Sequence, residues 1–332
     1  MELHNRIDKK GMQQEVNLVM KSRSKHVDIR VNECSTIPFY DIYRSIIEDL
    51  RDINMWSFEY IATTFTRSLK LSNACRIDAN LELRKIAEKV SKYYERNHAG
   101  TLISRVNNYL QEVANALCSL EHDVRELQVE LNYRGNIGVS SGFGQLLFEW
   151  GISFDPYLNL PYIPASSIKG AVRTAYKYLC TRYSRNKEDC NNKVEEIFGS
   201  STKGAGLVMF TDAYPVDLRG NAKYILIPDV VTPHYNSEEL RYEKEVEPNP
   251  VVHLSLSKAV IFKFLMYYRP RNGRRINYDN DLVEDPSSIS STDDLRLIDK
   301  AVFLAFGLGV GAKTLTGYSQ FKIVSYRRVC RG

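Results

Sequence analysis

Two amphipathic helical stretches, each set between runs of strand-forming residues, restrict the fold of this chain more than any feature of its composition. Leu127, Val129, Leu131 and Tyr133 alternate with Gln128, Glu130 and Asn132, the period-two pattern of a half-buried strand. After a connection rich in Gly and Pro, Ile168, Val172, Ala175 and Leu179 recur at helical spacing. Strand-like runs follow at 206–211, 251–256 and 260–268. A second helix is marked by Leu295, Ile298, Val302 and Phe306, and a last strand-like run covers 320–326. The core order is read as strand, helix, strand, strand, helix, strand, with the additional strand-like run falling among the insertions. This is the α+β, ferredoxin-like (RRM-like) βαββαβ arrangement, with both helices on one face of the sheet. Such a core needs far fewer than 332 residues, so the rest reads as large insertions and an N-terminal helical extension.

The extension has its own signature. Residues 1–34 carry the basic run Lys21-Ser-Arg-Ser-Lys-His26 without sustained periodicity, the pattern of a solvated arm. Three apolar sets then suggest three or more amphipathic helices: Ile46 to Trp56, Leu81 to Tyr93 and Leu102 to Leu117. The division expected is therefore 1–124, basic arm and helices, and 125–332, the α+β domain. Residues 186–192 and 271–291 are polar and read as surface loops.

Composition excludes little. A net charge of +5, from 45 Lys and Arg against 40 Asp and Glu, permits a nucleic-acid partner without requiring one. The six cysteines include no Cys-x-x-Cys, so neither a metal nor another cofactor is expected, and they read as buried or free thiols. Whether Cys180 and Cys190 meet stays open. No segment approaches the roughly 20 apolar residues of a membrane span, and no hydrophobic signal core opens the chain, so a cytoplasmic location away from membranes is expected.

The chemistry concentrates in two motifs. Phe306-Gly-Leu-Gly-Val-Gly-Ala-Lys-Thr-Leu-Thr-Gly-Tyr-Ser-Gln-Phe321 links the second helix to the last strand. Its glycines free the backbone for positive φ, its N–H groups can converge on phosphate oxygens, and Lys313 supplies a cation. Gly307 to Thr314 departs from the nucleotide-binding P-loop at Ala312 and follows a helix rather than a strand, which argues against ATP or GTP. The second motif is Leu160-Pro-Tyr-Ile-Pro-Ala-Ser-Ser-Ile-Lys-Gly-Ala-Val-Arg173. Here Ser166 or Ser167 suits an N-cap, and Lys169, Arg173 and Lys177 form a basic stripe. Lys169 in a first helical turn opposes the helix dipole unless an anion sits at that terminus.

Together, I-P-x-S-S-I-K-G-x-x-R and Gly309-x-Gly311-x5-Gly317-Tyr318 resemble the RAMP superfamily of CRISPR-associated RNA-binding proteins. Phe210-Thr-Asp-Ala-Tyr-Pro215 and Asp229-Val-Val-Thr-Pro-His-Tyr235 resemble the subunit-six branch of that superfamily in type III-B (Cmr) effector complexes. The resemblance spans about 127–326. Ala165 and Ser319 stand where the family usually has glycine. It implies a non-catalytic structural subunit that holds the guide RNA backbone near its 3′ end, meets target RNA and contacts sister RAMP subunits. Lys169, Arg173, Gly307, Gly309, Gly311, Lys313, Thr314 and Gly317 are the candidate RNA-binding residues. The competing reading is a RAMP endoribonuclease using His234 or one of Asp28, Asp155, Asp212 and Asp229.

Overall fold

The computed structural model describes residues 53–72, 79–140, 142–148, 150–183, 187–232, 250–268 and 297–330. Three helices come first, α1 (Met55–Ser72), α2 (Ala79–Tyr93) and α3 (Arg96–Ser119), followed by strand β1 (Asp123–Leu131). A kinked α4 (Gly142–Phe148) and the short pair β2 (Phe154–Asp155) and β3 (Leu160–Pro161) lead into α5 (Ala165–Tyr183) and α6 (Lys187–Phe198). A small ladder, β4 (Gly199–Ser200) with β5 (Gly204–Ala205), precedes β6 (Val208–Phe210) and β7 (Tyr214–Leu218). Then come the paired strands β8 (Leu226–Val231) and β9 (Val251–Leu256), β10 (Val260–Tyr268), α7 (Leu297–Leu308) and β11 (Phe321–Cys330).

The central sheet is antiparallel, in the order β11-β1-β10-β6, with β7 also on β10. Its odd-numbered β1 face explains the apolar half of the alternation. Leu127 pairs with Phe264 and Val129 with Phe262, all fully buried. Phe306 of α7 stacks on Phe264 at 5.2 Å and meets Phe321 edge-on at 5.6 Å. Burying one such ring contributes about 1.5–3 kcal/mol. α5 packs along α7, burying Ile168, Val172 and Ala175 in the same cluster. Arg125, Asp299 and Tyr326 tie β1, α7 and β11 together. Arg125 Nη1 lies 3.3 Å from the Asp299 carboxylate and donates to the Tyr326 hydroxyl at 3.1 Å.

The opposite face departs from the half-buried expectation, because α3 lies against it. Glu126 is buried, matched by Arg327 at 2.9 Å and Lys263 at 3.9 Å, and Lys263 also donates to Asn107 of α3 at 2.7 Å. Covering that face forces its charges to pair with one another.

Of the expected helices, α2 and α3 run over the second and third apolar sets, whereas the first set, Ile46 to Trp56, lies mostly outside the described residues and α1 covers Met55–Ser72 instead. Apolar residues of all three described helices join those of the sheet in one continuous core. Trp56, expected on an apolar face, is instead 78% exposed. Residues 187–192, expected as loop, open helix α6, because Val194 and Phe198 give the segment an apolar face. The thiol expectation also needs correcting, since all four described cysteines are paired. Cys118 of α3 bonds Cys330 at the end of β11, and Cys180 of α5 bonds Cys190 of α6. Cys34, Cys75, the basic arm, His234 and the loop 271–291 lie outside the described residues. Among the described residues, no helix is long and apolar enough to cross a membrane and no cluster of metal-ligating side chains occurs.

Candidate functional site

The glycine loop forms where α7 ends beside the junction of β1 and β11. Gly309 and Gly311 have φ of 112° and 137°, and each is pressed against its own chain. A Cβ on Gly309 would stand 2.6 Å from Thr314 Cγ2, and one on Gly311 would stand 2.7 Å from the Asn136 carbonyl oxygen. These two glycines therefore serve the packing of the loop on itself and on the segment that follows β1, where Asn136 bridges to Ala312. Gly307 and Gly317 face open space, Gly317 with φ of 89°. Several loop N–H groups are already used: Val310 to Ser319, Ala312 to Asn136, Tyr318 to Lys313 and Ser319 to Arg134, all on carbonyl oxygens. The loop's outward offering is Lys313, half-exposed, with Leu315 fully exposed beyond it.

A buried polar network holds this loop from behind. Asp229 of β8 accepts a close hydrogen bond from Arg134, one from the Tyr318 hydroxyl at 2.9 Å and one from its neighbour's N–H at 2.9 Å. Ser255 Oγ lies 2.9 Å from Asp229 Oδ2, 2.7 Å from Asn136 Oδ1 and 3.2 Å from His253 Nε2. Burial of Tyr318, reinforced by its hydrogen bond to Asp229, pushes the phenol up from its usual pKa. Burial alone would lower Arg134, but the Asp229 charge together with the neighbouring Tyr133 and Tyr318 more than offsets it and holds the guanidinium raised. Burial also drives His253 down, against the pull of Asp229. Trp150 tilts against His253 at 4.9 Å on one side, and Lys313 Nζ sits 4.6 Å from the centre of the same indole. The cation is thus aimed by an aromatic face.

Lys169 and Arg173 sit elsewhere, on α5. Lys169 is half-buried and Arg173 exposed, and Arg173 lines a groove with Gly170, Thr174 and Lys177 of α5 and with Asn191, Val194 and Glu195 of α6. The helix begins at Ala165, one residue before the expected serine caps. Its cap comes from far along the chain: the Ala165 N–H donates to Asp212 Oδ1 at 2.6 Å. That carboxylate is the anion the position of Lys169 calls for, and it lies within the protein. The α5 terminus is held at the β6–β7 junction, whereas Lys313 is held beside β1 and β11. The two cationic groups are therefore carried by separate elements of the fold.

The described aspartates of the nuclease reading are all engaged. Asp155 accepts from the Tyr214 hydroxyl at 2.7 Å and from two backbone N–H groups, Asp212 caps α5, and Asp229 anchors the loop. Asp28 and His234 lie outside the described residues. Sequence reasoning missed Arg134, Asn136, Trp150, His253 and Ser255. One signal was legible: His253 and Ser255 share a face of a strand whose Val252, Leu254 and Leu256 are buried on the other, so two polar residues stood where burial was due.

The sequence model of the RAMP superfamily matches residues 148–322. A curated relative, the CRISPR system CMR subunit Cmr6 of Saccharolobus solfataricus, is 36% identical over 241 residues, 72% of this chain and 70% of its own. Among solved structures, a chain of the type III-B Cmr-beta complex bound to cognate target RNA superposes with a TM-score of 0.65 at 28% identity. The superposition covers 88% of this chain and 99% of that one. With the glycine loop, the helix following Pro164 and their scaffold matched in this way, the chain belongs to the RAMP superfamily.

Proposed function

We propose that this chain is a non-catalytic RNA-holding subunit of a type III-B CRISPR ribonucleoprotein. It grips the guide RNA backbone near its 3′ end and touches sister RAMP subunits while the guide captures complementary target RNA in the cytoplasm. The observation that carries this is the likeness, over 88% of the chain, to a chain of a Cmr complex determined with target RNA. The order β11-β1-β10-β6, with α5 and α7 as the crossovers, supports reading the core of 125–332 as ferredoxin-like and the helices before it as an extension. Lys313, held over Trp150, and Lys169 and Arg173 on α5 are the phosphate-facing cations. Gly307, Gly317 and the exposed side of the Thr314 turn let the backbone come close. Engagement of Asp155, Asp212 and Asp229 within the fold supports holding over cutting.

Purification of the tagged protein from its host, with mass spectrometry and sequencing of bound RNA, tests the assembly. Stoichiometric RAMP-family proteins and mature guide RNA are expected, and a protein free of both would overturn the reading. The phosphate contacts have a separate test. Replacing Lys169 and Lys313 by alanine should flatten the salt dependence of single-stranded RNA binding by about 0.7 in logarithmic slope per lost contact. An unchanged slope removes both residues from the site.

A further inference from the structure

Tyr133 lies two residues past the end of β1 and is 49% exposed. Exposed tyrosines are common on this chain, and exposure alone says nothing. Tyr133 differs in how its ring is held. The Arg134 guanidinium lies 5.7 Å from the ring centre, and the Tyr318 ring meets it edge-on at 5.9 Å and 87°. Both neighbours are bonded to the same buried carboxylate, Asp229, so neither moves without breaking the network behind the glycine loop. The ring also adjoins that loop through the backbone, since the Ser319 N–H donates to the Arg134 carbonyl at 2.8 Å and the Asn132 N–H to Gln320 at 2.9 Å.

From this geometry we propose that Tyr133 is a stacking platform for one unpaired nucleobase of the RNA whose phosphates the loop receives. The proposal rests on the RNA-holding reading and adds a base contact to it. A base stacked on an aromatic ring is recognised by its π-face, which every base has, so the platform is tolerant of sequence. A ring already fixed in orientation loses little conformational freedom when a base lands on it. Arg134, spent on Asp229 and lying over the ring, adds positive potential without claiming the phosphate. Lys313, at the start of the Thr314–Thr316 turn of the neighbouring loop, remains available for that role.

The test uses the full chain, a 12-nucleotide single-stranded RNA carrying 2-aminopurine at successive positions, and the same RNA with an abasic site at each position. At one position, wild-type protein should quench the 2-aminopurine. At that position Tyr133→Leu should abolish the quenching and weaken binding about tenfold, within the usual cost of losing one stacked base. Tyr133→Phe should retain both properties, and the salt slope should stay unchanged in either variant because no phosphate contact is lost. The abasic RNA at that position should bind wild type and Tyr133→Leu equally. Equal weakening on intact and abasic RNA would overturn the proposal by making the ring a prop for the loop. Unchanged binding by Tyr133→Leu, with Lys313→Ala still weakening it, would overturn the platform and spare the RNA-holding reading. Failure of wild type to bind either RNA would overturn both.

Discussion

His253 is fully buried with its ring 3.8 Å from the Asp229 carboxylate, and Arg134 and Lys313 bear on the same group from other elements. Burial dominates and lowers its folded-state pKa below 6.5, with the two cations adding to the effect. In the unfolded chain the imidazole titrates near 6.5. As pH falls through that value, the unfolded chain takes up a proton that the folded protein refuses, so stability is lost on the acid side. The limiting slope is about 1.4 kcal/mol per pH unit for one proton. Urea unfolding at pH 7 and pH 5.5 should show this loss in wild type and a smaller one in His253→Asn. Equal losses would mean that other groups carry the acid sensitivity. The same network shows why Asp229, which as a sequence position invites a catalytic reading, is a structural anchor: three side chains and a backbone N–H converge on it.

Among the elements, the glycine loop is the one whose composition and shape correspond most directly. Gly311→Ala would drive a methyl group toward the Asn136 carbonyl at a φ that side chains avoid, and would part the loop from the segment following β1. A cost of about 1–3 kcal/mol is expected. Gly317→Ala meets open space and should cost only its backbone strain, about 1–2 kcal/mol. Denaturant titration of both variants checks the order, and a Gly311→Ala protein no less stable than Gly317→Ala would contradict the close packing. The loop, the helices α5 and α7, and strands β9 and β10 were legible because each is coded by neighbouring residues. β9 and β10 run over the very residues their apolar patterns mark. What was not legible is long-range. Asp212 reaches Ala165 across 47 positions, Tyr318 reaches Asp229 across 89, and Asn136 reaches Ser319 across 183. Periodicity has no term for such pairs. Helix α6 was hidden for a related reason: the start of its sequence, Lys187 to Asn192, is polar apart from Cys190, and Cys190 is tied to Cys180 of α5.

At the scale of the whole molecule, α1, α2 and α3 share one continuous hydrophobic core with the sheet. α3 covers the charged face of the sheet, and the Cys118–Cys330 bridge joins it to the last strand across 212 positions. In the chain-entropy account a closure of that length stabilises by about 5.4 kcal/mol, and the 10-position Cys180–Cys190 closure by about 2.7 kcal/mol. Thermal unfolding with and without a reductant should show a lower midpoint when reduced. Cys118→Ala should reproduce more of that drop than Cys180→Ala, and a midpoint insensitive to reductant would refute the contribution of either bridge.

The strand order carries a consequence for synthesis. β1 is a central strand, yet both of its neighbours, β10 and β11, are encoded more than a hundred residues later. During translation it waits on the order of ten seconds for the first of them, at ordinary bacterial or eukaryotic elongation rates. Through that interval its two hydrogen-bonding edges are open to mispairing with other nascent chains. The contact between the glycine loop and Asn136 joins positions 183 apart, so it forms only once the chain has been made through Ser319, later still than the pairing of β1 with β10.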